Sequence, residues 1–507
     1  MTYLIGTDIG TMGTKTVLVD TEGKVHAQAF KEYGVITPRQ GWAEQWPTPW
    51  REATYNTIKQ VITKSGINPK DIAGASISAL YGGSGIPVDK NYEPIRPCLI
   101  WADRRATKEC QNLRETIGQK KLYEITGNVI DPYYGYTKIL WIKNNEPQNW
   151  ERIHRLETPN AHIIRILTET ESIDYSSAGN IGGIFNLKKR DWSNELMETL
   201  EIPRNFFPEK IHSSEEIVGE TTSEAAKKTG LPKGTPICAG GIDAPVSALA
   251  GGATRIGDLS SMLGTSMCNG HINQLKHISP KMINYPYVVK GHETIYSFTG
   301  ISTAGYCVRW FRDQYGQQEL TKQKETGIDA YKQLDKLAQK IPAGSDDLIF
   351  LPHMMIGERA PYWDENIRGA YLGLTVYHTR SHMFRAILEG VAYAMRYSID
   401  TARETGTKIK NATLVDGGAS SPLWRQIISD VTEITYQYIP ESQGAPMGDT
   451  ILAGLGTGEI NDYKIIEKWI GDKIPTEPIP ENTMKYREKY RIYKKAVKKI
   501  SPLFTDL

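Results

Sequence analysis

Cysteine is scarce in this sequence, which argues against the two structural roles that cysteine most often signals. The chain of 507 residues contains five cysteines: Cys98, Cys110, Cys238, Cys268 and Cys307. Their number is odd, they are scattered, and no C-x-x-C pair occurs, so neither a disulfide framework nor a zinc site is indicated. We therefore expect reduced thiols and a cytoplasmic location.

Long apolar runs and a net charge of either sign are also missing. No stretch reaches the ~18 apolar residues of a membrane-spanning helix, and Asp8 and Lys15 interrupt the apolar core that a signal peptide would need. Lysine and arginine number 60 against 58 for aspartate and glutamate, a balance of +2. The sequence thus predicts a protein that is neither secreted nor membrane-spanning. It favours a small soluble substrate over nucleic acid or a membrane surface as the main partner.

Two further features are absent: a Walker phosphate loop, G-x-x-x-x-G-K-[ST], and a Pro- or Ser-rich linker. At 507 residues the chain is too long for a single core, so two domains are expected. Without a linker they should be closely joined, with a cleft between them. We predict an N-terminal domain of residues 1–245 and a C-terminal domain of residues 246–507.

Apolar segments recur in a similar order in the two halves. In the first half, the pattern predicts strands at residues 3–8, 15–20, 24–33 and 72–80 and an amphipathic helix at 50–64. In the second half, it predicts strands at 259–263, 267–272 and 413–415, a long helix at 381–404, and a helix that opens at Ser421-Pro422. We interpret this order as an α/β fold that arose by a diverged duplication.

The turn after the first strand has the composition of a phosphate-binding loop. Residues 8–15 read Asp-Ile-Gly-Thr-Met-Gly-Thr-Lys. Glycines such as Gly13 let the backbone approach a phosphate, whose oxygens could meet the Thr11 hydroxyl and the Lys15 ammonium. Asp8 would hold magnesium directly or through water. An ordinary hairpin turn is the alternative interpretation.

A second Gly-Thr turn opens the other half of the chain. Gly264, Thr265 and Ser266 follow the strand at 259–263, and alone they are as ambiguous as the first turn. Two such turns, one in each half, could face each other across a cleft and clamp the β- and γ-phosphates of a nucleotide from opposite sides. The pair therefore favours nucleotide binding.

A third glycine turn follows a later strand. In Val-Asp-Gly-Gly-Ala, residues 415–419, Gly417 and Gly418 precede a capped helix that contains Trp424. Two glycines between a strand and a helix let a flat adenine ring lie against the backbone, and Trp424 is near enough to pack on it. The alternative is a tight β-α turn without a ligand.

Asp243 is the candidate catalytic base. It lies in Ala-Gly-Gly-Ile-Asp-Ala-Pro, residues 239–245, between a predicted strand at 236–242 and a predicted helix at 247–252. Phosphoryl transfer depends mainly on positioning, and a carboxylate with an ordinary pKa of ~3.9 is already ionised and able to take a hydroxyl proton. An aspartate followed by Ala-Pro is also a good helix cap, so both roles stay open on local sequence.

These motifs together resemble the FGGY carbohydrate kinases, a branch of the actin and hexokinase-like (ribonuclease H-like) ATPase fold, over essentially the whole chain. Besides the phosphate turns, the resemblance rests on Gly240-Gly241-Ile242-Asp243 with the following Ala-Leu-Ala-Gly, on Phe350-Leu351-Pro352 leading to Gly357-Glu358-Arg359-Ala360-Pro361, and on Gly417-Gly418-Ala419 with Trp424-Arg425-Gln426. The last two motifs are most similar to those of xylulose and gluconate kinases.

The resemblance implies two actin/hexokinase-like domains with an interdomain cleft, and transfer of the γ-phosphoryl group of ATP with Mg²⁺. Asp243 falls in the family's base position and Asp8 near magnesium. The implied ATP and phosphate contacts are Thr11, Met12, Gly13, Lys15, Gly264, Thr265, Ser266, Gly305, Gly417, Gly418, Ala419 and Trp424. Met12 replaces a hydroxyl residue that is common in the first turn, so only its backbone amide is expected to contribute.

The implied substrate residues match the family less evenly. Trp101, Asp103, Arg104 and Tyr133 resemble the pocket of glycerol kinases. Gly82 and Gly83, however, stand where glycerol kinases have Arg-Glu and xylulose kinases Met-His. Two glycines would leave room for a bulkier substrate or for a side chain from elsewhere. Ala244 also replaces a glutamine of glycerol kinases, so a sugar is favoured over glycerol; aromatic core packing is the alternative role of Trp101 and Tyr133.

The sequence therefore predicts an ATP-dependent kinase for a small sugar, with a ketopentose such as xylulose as the first candidate. Glycerol, erythritol, gluconate and ribulose are alternative acceptors. A non-catalytic sugar- or nucleotide-binding regulator of the same fold is a rival from another class, and an actin- or chaperone-like ATPase is a second. The oligomeric state is left open, with a homodimer among the options.

Overall fold

The computed structural model describes residues 1–506 and contains two large mixed sheets, one in each half of the chain. Strands β1 to β7 of the first sheet are Tyr3–Ile9, Gly13–Asp20, Val25–Glu32, Ile72–Ala79, Ile217–Glu220, Pro236–Cys238 and Gly241–Ile242. Strands β8 to β14 of the second are Asp258–Leu263, Met267–Asn273, Ile283–Pro286, Ile295–Ile301, Asn411–Val415, Tyr436–Tyr438 and Ile474–Thr476. We call the first sheet with its helices the N-lobe and the second the C-lobe.

The two sheets repeat one pattern of strand pairing. The order β3-β2-β1-β4-β6-β5 in the N-lobe corresponds to β11-β9-β8-β12-β13-β14 in the C-lobe. β1 pairs antiparallel with β2 and parallel with β4, and β8 pairs in the same two ways with β9 and β12. The structure thus contains the repeated order of elements that the sequence pattern predicted in the two halves. It places the two Gly-Thr turns at equivalent positions, after β1 and after β8.

Helices surround both sheets. Those packed in the N-lobe are Pro47–Ser65, Thr107–Thr116, Gln119–Thr126, Gly135–Asn145, Pro147–Trp150, Pro159–Thr168, Tyr175–Ile181, Asn194–Leu200 and Ser223–Thr229. Those of the C-lobe are Gly305–Tyr315, Gln317–Thr326, Ala330–Ala338, Arg380–Glu404, Pro422–Thr432 and Pro480–Ile500, whereas the short helix Ile466–Trp469 packs against Gly23 of the N-lobe. Short ribbons pair Glu44–Gln45 with Cys98–Leu99, Ile86–Val88 with Arg155–Glu157, Phe185–Asn186 with Asp191–Trp192, and Ile349–Leu351 with Ala370–Leu372. Within residues 1–506, no helix is both long enough and apolar enough to cross a membrane.

Two further helices, Asp243–Ala250 and Ala445–Thr457, pack against each other and join the lobes. We call them the connecting helices. The first contacts β4 of the N-lobe and β9 of the C-lobe, whereas the second packs on β1 and β4 although it lies late in the sequence. The contact is close: a Cβ added at Gly6 would lie 1.8 Å from the carbonyl oxygen of Pro446. The division into residues 1–245 and 246–507 stays a prediction.

The segment before Asp243 differs from the sequence prediction. The predicted strand at 236–242 is interrupted, and the helix begins at Asp243 rather than at residue 247. Gly240 has a φ of 65°, and a Cβ there would lie 1.9 Å from the carbonyl oxygen of Ile77. Pro245 fits within the first helical turn, where a missing N–H costs nothing. The earlier start places Asp243 itself in the first helical turn.

Candidate active site

Two neighbouring cavities contain most of the polar residues that the sequence singled out. The interlobe cavity has a volume of about 270 Å³ and is lined from both lobes by Asp8, Thr11, Tyr81, Trp101, Tyr133, Ile242, Asp243, Ala244, Ser247, Met262, Gly264, Ser266, Cys268, Tyr285, Phe298, Arg359 and Asp416. The C-lobe cavity has a volume of about 770 Å³ and is lined by Gly264, Thr265, Gly305, Tyr306, Val308, Arg309, Asp329, Tyr331, Lys332, Asp335, Leu388, Gly417, Gly418, Ser420, Ser421, Pro422 and Trp424. Gly264 lines both, so the second Gly-Thr turn forms their border.

The Asp243 carboxylate faces the interlobe cavity from the start of a connecting helix. Ile242 occupies the N-cap position, so Asp243 is not the helix cap. Within residues 1–506 the carboxylate accepts one hydrogen bond, from the Ala244 amide to Oδ1 at 2.7 Å, which leaves Oδ2 free. Removal from bulk water raises the pKa of Asp243, although the Ala244 amide and the positive charge of Arg359 act in the opposite direction. This arrangement suits a carboxylate that must accept a proton.

Asp8 lies in the same cavity, in β1 just before the first Gly-Thr turn. Its Oδ1 accepts a hydrogen bond from Ser78 Oγ at 3.1 Å. Desolvation and the negative charge of Asp243 both raise the pKa of Asp8, while the Ser78 hydrogen bond and Lys15 lower it. Two carboxylates that disfavour each other's ionisation form a place where a cation would be stabilised.

The residues around Asp8 fit a magnesium ion that binds together with nucleotide phosphates. Residues 1–506 contain no cluster of three or more His, Cys, Asp or Glu side chains arranged to hold a metal alone. Magnesium usually takes one or two carboxylates plus phosphate and water oxygens instead. Asp8 could supply such a carboxylate from the N-lobe, and its negative charge would offset that of the ion.

An aromatic wall forms one side of the interlobe cavity. Trp101 Nε1 donates a hydrogen bond to Thr11 Oγ1 at 3.0 Å, so the wall is attached to the first Gly-Thr turn. Tyr133 is buried and packs against Phe298 of β11 with ring centroids 6.4 Å apart. Aromatic faces of this kind can pack against the C–H groups of a small polyhydroxy ligand while polar atoms at the rim hold its hydroxyls.

Arg359 reaches the same wall from the C-lobe. Its guanidinium carbon lies 5.2 Å from the ring centroid of Trp101, 5.9 Å from that of Tyr133 and 5.0 Å from that of Phe298. Its Nη2 donates to Cys268 Sγ at 3.3 Å. Across residues 1–506, the ion pairs within 4.0 Å include none to Arg359. The cavity therefore contains a positive charge that is held mainly by aromatic rings.

Glycines shape the border between the two cavities. A Cβ at Gly305 would lie 2.5 Å from the carbonyl oxygen of Gly264, and one at Gly418 would lie 2.7 Å from Leu263 Cγ. The amide of Gly305 donates to the Gly264 carbonyl at 3.0 Å, which fixes the turn against the start of the helix Gly305–Tyr315. The N-terminus of that helix thus lies beside the second Gly-Thr turn, where amide groups and the helix dipole favour a phosphate.

Comparisons with known proteins agree with this arrangement. The family model described as the FGGY family of carbohydrate kinases, N-terminal domain, matches residues 3–250, and the C-terminal domain model of the same family matches residues 259–457. The chain belongs to the FGGY family of carbohydrate kinases. It is an ATP-dependent phosphotransferase with an alcohol group as acceptor, and enzymes of this family use ATP with Mg²⁺.

Individual relatives cover nearly the whole chain. It is 29% identical to the xylulose kinase of Bacillus subtilis (strain 168) over 496 residues, which cover 97% of this chain and 96% of that protein. It is 31% identical to the gluconokinase of the same organism over 488 residues, 96% of this chain and 93% of that one. The ligand-bound xylulose kinase structure from Lactobacillus acidophilus superposes with a TM-score of 0.91 at 26% identity, covering 100% of both chains. The fold is therefore the two-domain actin/hexokinase-like fold of FGGY kinases.

The structure brings many of the sequence-predicted residues of this kinase to the two cavities. Those in the interlobe cavity are Asp8, Thr11, Trp101, Tyr133, Asp243, Gly264 and Ser266. Those in the C-lobe cavity are Gly264, Thr265, Gly305, Gly417, Gly418 and Trp424. Trp424 is largely buried, and its Nε1 donates to the Leu388 carbonyl at 3.1 Å, so it supports the floor of the cavity.

Four residues predicted to contact ATP do not line either cavity. Lys15 donates from Nζ to the carbonyl oxygen of Gln443 at 3.0 Å and to its Oε1 at 3.1 Å. The Met12 side chain is 55% exposed to solvent. Gly13 packs against Phe30, whose ring would lie 2.4 Å from a Cβ at that position. Ala419 is buried behind the third glycine turn. For Gly13 and Ala419, packing explains the small residue without a phosphate.

Asp103 and Arg104, predicted to bind substrate, are engaged elsewhere. Asp103 is fully buried and pairs with Arg105, with Nη2 of the arginine 2.7 Å from Oδ2. Arg104 forms a two-pronged pair with Asp131, at 2.6 and 3.1 Å. Both charges are already paired, and neither residue lines the cavity. The sequence motif identified the right segment but only Trp101 within it reaches the cavity.

Gly82 and Gly83 also lie outside the cavity, and they do not enlarge it. A Cβ at Gly82 would lie 3.0 Å from Cβ of Trp101 and 3.1 Å from Cζ of Tyr133, while one at Gly83 would lie 2.3 Å from the carbonyl oxygen of Leu99. The side chains of Trp101 and Tyr133 therefore fill the space beside Gly82, as one of the two expectations had it, whereas the Leu99 backbone fills the space beside Gly83. Gly82 has a φ of 93°, which also favours glycine.

Several residues of the site were missed by sequence reasoning. Arg359 is marked in the sequence only by a family motif, and Tyr81, Tyr285 and Phe298, which also line the interlobe cavity, have no local signal. Lys138 is fully buried and donates to the carbonyl oxygens of Gly82, Pro132 and Tyr133 at 2.7, 2.8 and 2.5 Å. It thereby fixes the backbone on which the wall is built. A lysine directly before the apolar run 139–142 in the helix Gly135–Asn145 is the signal that could have revealed it.

Proposed function

We propose that this FGGY kinase transfers the γ-phosphoryl group of ATP to a hydroxyl of a small sugar, with a ketopentose such as xylulose as the first candidate. The observation that carries the proposal is the position of Asp243, whose carboxylate faces a cavity of about 270 Å³ that meets the C-lobe cavity at Gly264. An acceptor in the first cavity and a nucleotide in the second would meet at that turn. Xylulose kinases among the relatives support the choice of a ketopentose.

In this proposal each group has a defined role. The acceptor hydroxyl oxygen attacks the γ-phosphorus, its proton passes to Asp243, and ADP leaves with the electrons of the broken P–O bond. Asp8 would hold the magnesium that accompanies the nucleotide. Gly264, Thr265 and Gly305 would contact its phosphates, and Gly417 and Gly418 would contact the nucleoside. Lys15 would have to leave Gln443 to reach a phosphate.

A sugar acid such as gluconate is the second candidate, and Arg359 favours it. Its guanidinium faces the acceptor cavity without a carboxylate within 4.0 Å among residues 1–506. A carboxylate on the acceptor could complete a charge-assisted pair there. Gluconokinases are also among the relatives, at 31% identity for the one from Bacillus subtilis.

One screen tests both candidates. Purified protein with Mg-ATP is assayed for ADP release over pentuloses, hexuloses, aldonates, glycerol and tetritols. We expect acceptor-dependent ADP release, highest for a ketopentose. No release with any acceptor, together with thermal stabilisation by a sugar, would favour a non-catalytic regulator. Release that is indifferent to acceptors would favour a simple ATPase. The cytoplasmic location and the oligomeric state, including a homodimer, stay predictions.

A further inference from the structure

Asp449 is a fully buried carboxyl group beneath the active site, on the second connecting helix. Its Oδ1 accepts a hydrogen bond from Ser76 Oγ at 2.9 Å. Its Oδ2 accepts one from the Ser78 amide at 3.1 Å and lies 2.6 Å from Ser78 Oγ. All three contacts are to β4, the strand that neighbours β1. Burial of a carboxyl group is costly unless hydrogen bonds compensate it, and here the contacts to one strand do so.

The Ser78 hydroxyl connects Asp449 to Asp8. Ser78 Oγ lies 2.6 Å from Asp449 Oδ2 and 3.1 Å from Asp8 Oδ1. A hydroxyl has a single proton to donate, so it cannot donate to both carboxylates. Every contact becomes a hydrogen bond only if one of the two acids carries a proton and donates it to Ser78 Oγ.

The buried acid is the better place for that proton. Asp449 has no exposed surface, whereas Asp8 lies at the wall of the interlobe cavity. An ionised carboxylate without access to water is costly to bury, so we place the proton on Asp449. Asp449 then donates to Ser78 Oγ, and Ser78 Oγ donates to Asp8 Oδ1. The chain of hydrogen bonds therefore points toward the cavity.

Close backbone packing holds the hydrogen-bonded residues Asp449, Ser78 and Asp8 in place. A Cβ added at Gly448, next to Asp449, would lie 2.2 Å from the carbonyl oxygen of Val246 on the other connecting helix. On the opposite side, a Cβ at Gly6 of β1 would lie 2.9 Å from Cβ of Asp449. The helix bearing Asp449 is thus fitted against both the strand that carries Asp8 and the helix that carries Asp243.

We propose that Asp449 is a positioning residue that orients the Asp8 carboxylate through Ser78 for its magnesium ion. The inference rests on the proposed role of Asp8. Asp449 does not touch nucleotide, acceptor or metal; it acts by fixing which Asp8 oxygen is occupied by Ser78 and which one is free for the ion. Partners of this kind commonly change metal affinity by about 10- to 100-fold when they are removed.

The test measures binding of ADP to the full-length protein by calorimetry, with Mg²⁺ and with EDTA. The ratio of the two Kd values gives the Mg²⁺-dependent gain in affinity. We expect Ser78→Ala and Asp449→Ala to lower that gain by about tenfold or more. Asp449→Asn satisfies its own groups only when its amide oxygen accepts from the Ser78 amide and hydroxyl and its NH₂ faces Ser76. That orientation turns the Ser78 proton away from Asp8, so Asp449→Asn should also lower the gain. Ser76→Ala is the matched control, because Ser76 contacts Asp449 but not Asp8.

The outcomes separate this inference from the proposed function. If Asp8→Asn leaves the gain unchanged, the proposed role of Asp8 fails, and the positioning role with it. If Asp8→Asn abolishes the gain while Ser78→Ala and Asp449→Ala retain it, only the positioning role is overturned. An unchanged gain in Asp449→Asn would contradict the role of Asp449 as the donor to Ser78. Should Asp449→Ala not fold, Asp449→Asn, which preserves the size of the side chain, decides.

Discussion

Trp101 Nε1 donates a hydrogen bond to Thr11 Oγ1 at 3.0 Å. This bond joins the aromatic wall of the interlobe cavity to the first Gly-Thr turn. In the proposed function the wall faces the acceptor and the turn lies near the transferred phosphate. The bond therefore sets the position of Trp101, which faces the acceptor, relative to the turn near the phosphate. Both partners of the bond belong to the N-lobe.

Replacement of Trp101 by phenylalanine tests that connection. Trp101→Phe keeps an aromatic face but removes the donor, and we expect kcat/KM for the acceptor to fall by roughly 2- to 12-fold, the equivalent of one net hydrogen bond. The Kd of ADP should not change. Thr11→Val removes the acceptor atom at similar size. If loss of this hydrogen bond causes both effects, kcat/KM of the double variant should be no lower than that of the more affected single variant. Additive losses in kcat/KM would show that the two residues act separately.

Arg359 should control the pH dependence of the reaction. Its positive charge lowers the pKa of Asp243, which desolvation raises above the ordinary value. A base must be ionised, so activity is lost as pH falls through its pKa. Arg359→Met should raise that pKa and move the acidic limb of kcat/KM, measured with a neutral acceptor, to higher pH.

Two other variants complete the pH experiment. Arg359→Lys keeps the charge and should restore the acidic limb at least partly. Arg104→Met is the matched control, because Arg104 pairs with Asp131 away from the cavity. An acidic limb at the same pH in Arg359→Met and wild type would contradict the electrostatic coupling between Arg359 and Asp243.

The third glycine turn offers a matched pair of stability variants. A Cβ at Gly418 would lie 2.7 Å from Leu263 Cγ and 2.9 Å from Cζ3 of Trp424, whereas a Cβ at Gly417 would meet nothing within 4 Å. Gly418→Ala should therefore lower the free energy of unfolding by about 1–3 kcal/mol through overpacking. Gly417→Ala should leave it unchanged or slightly higher. Chemical denaturation without nucleotide checks this, and equal effects of the two substitutions would refute the packing argument.

Local patterns were enough to predict the strands next to the Gly-Thr turns and the turns themselves. They did not predict five other sheet strands: Ile217–Glu220, Ile283–Pro286, Ile295–Ile301, Tyr436–Tyr438 and Ile474–Thr476. The strand-turn-strand segments around Gly13 and Gly264 depend on short-range alternation and on turn residues, both of which are visible in sequence. The buried face of the helix Pro47–Ser65, including Trp50, Ile58 and Val61, follows from its periodicity in the same way. The start of the helix at Asp243 was placed late because Gly240 breaks the strand through a contact with a distant residue.

Long-range partners explain most of what the sequence could not reveal. Whether a glycine opens a cavity or accommodates a neighbour depends on what packs against it, and Gly82 faces Trp101 and Tyr133. Lys15 was expected at a phosphate but bonds to Gln443, which lies far along the chain. The contact between Asp449 and Ser78 likewise spans the two halves. None of these pairs has a local signature.

The role of Asp243 as the base is the central claim, and turnover of Asp243→Asn tests it most directly. Asparagine preserves size but cannot take a proton, and Ile242 rather than Asp243 is the helix N-cap, so the fold should be retained. We predict that acceptor-dependent ADP release falls by about 10²- to 10⁴-fold, while the Kd of ADP and the melting temperature stay close to wild type. Near-normal turnover in Asp243→Asn would contradict the account.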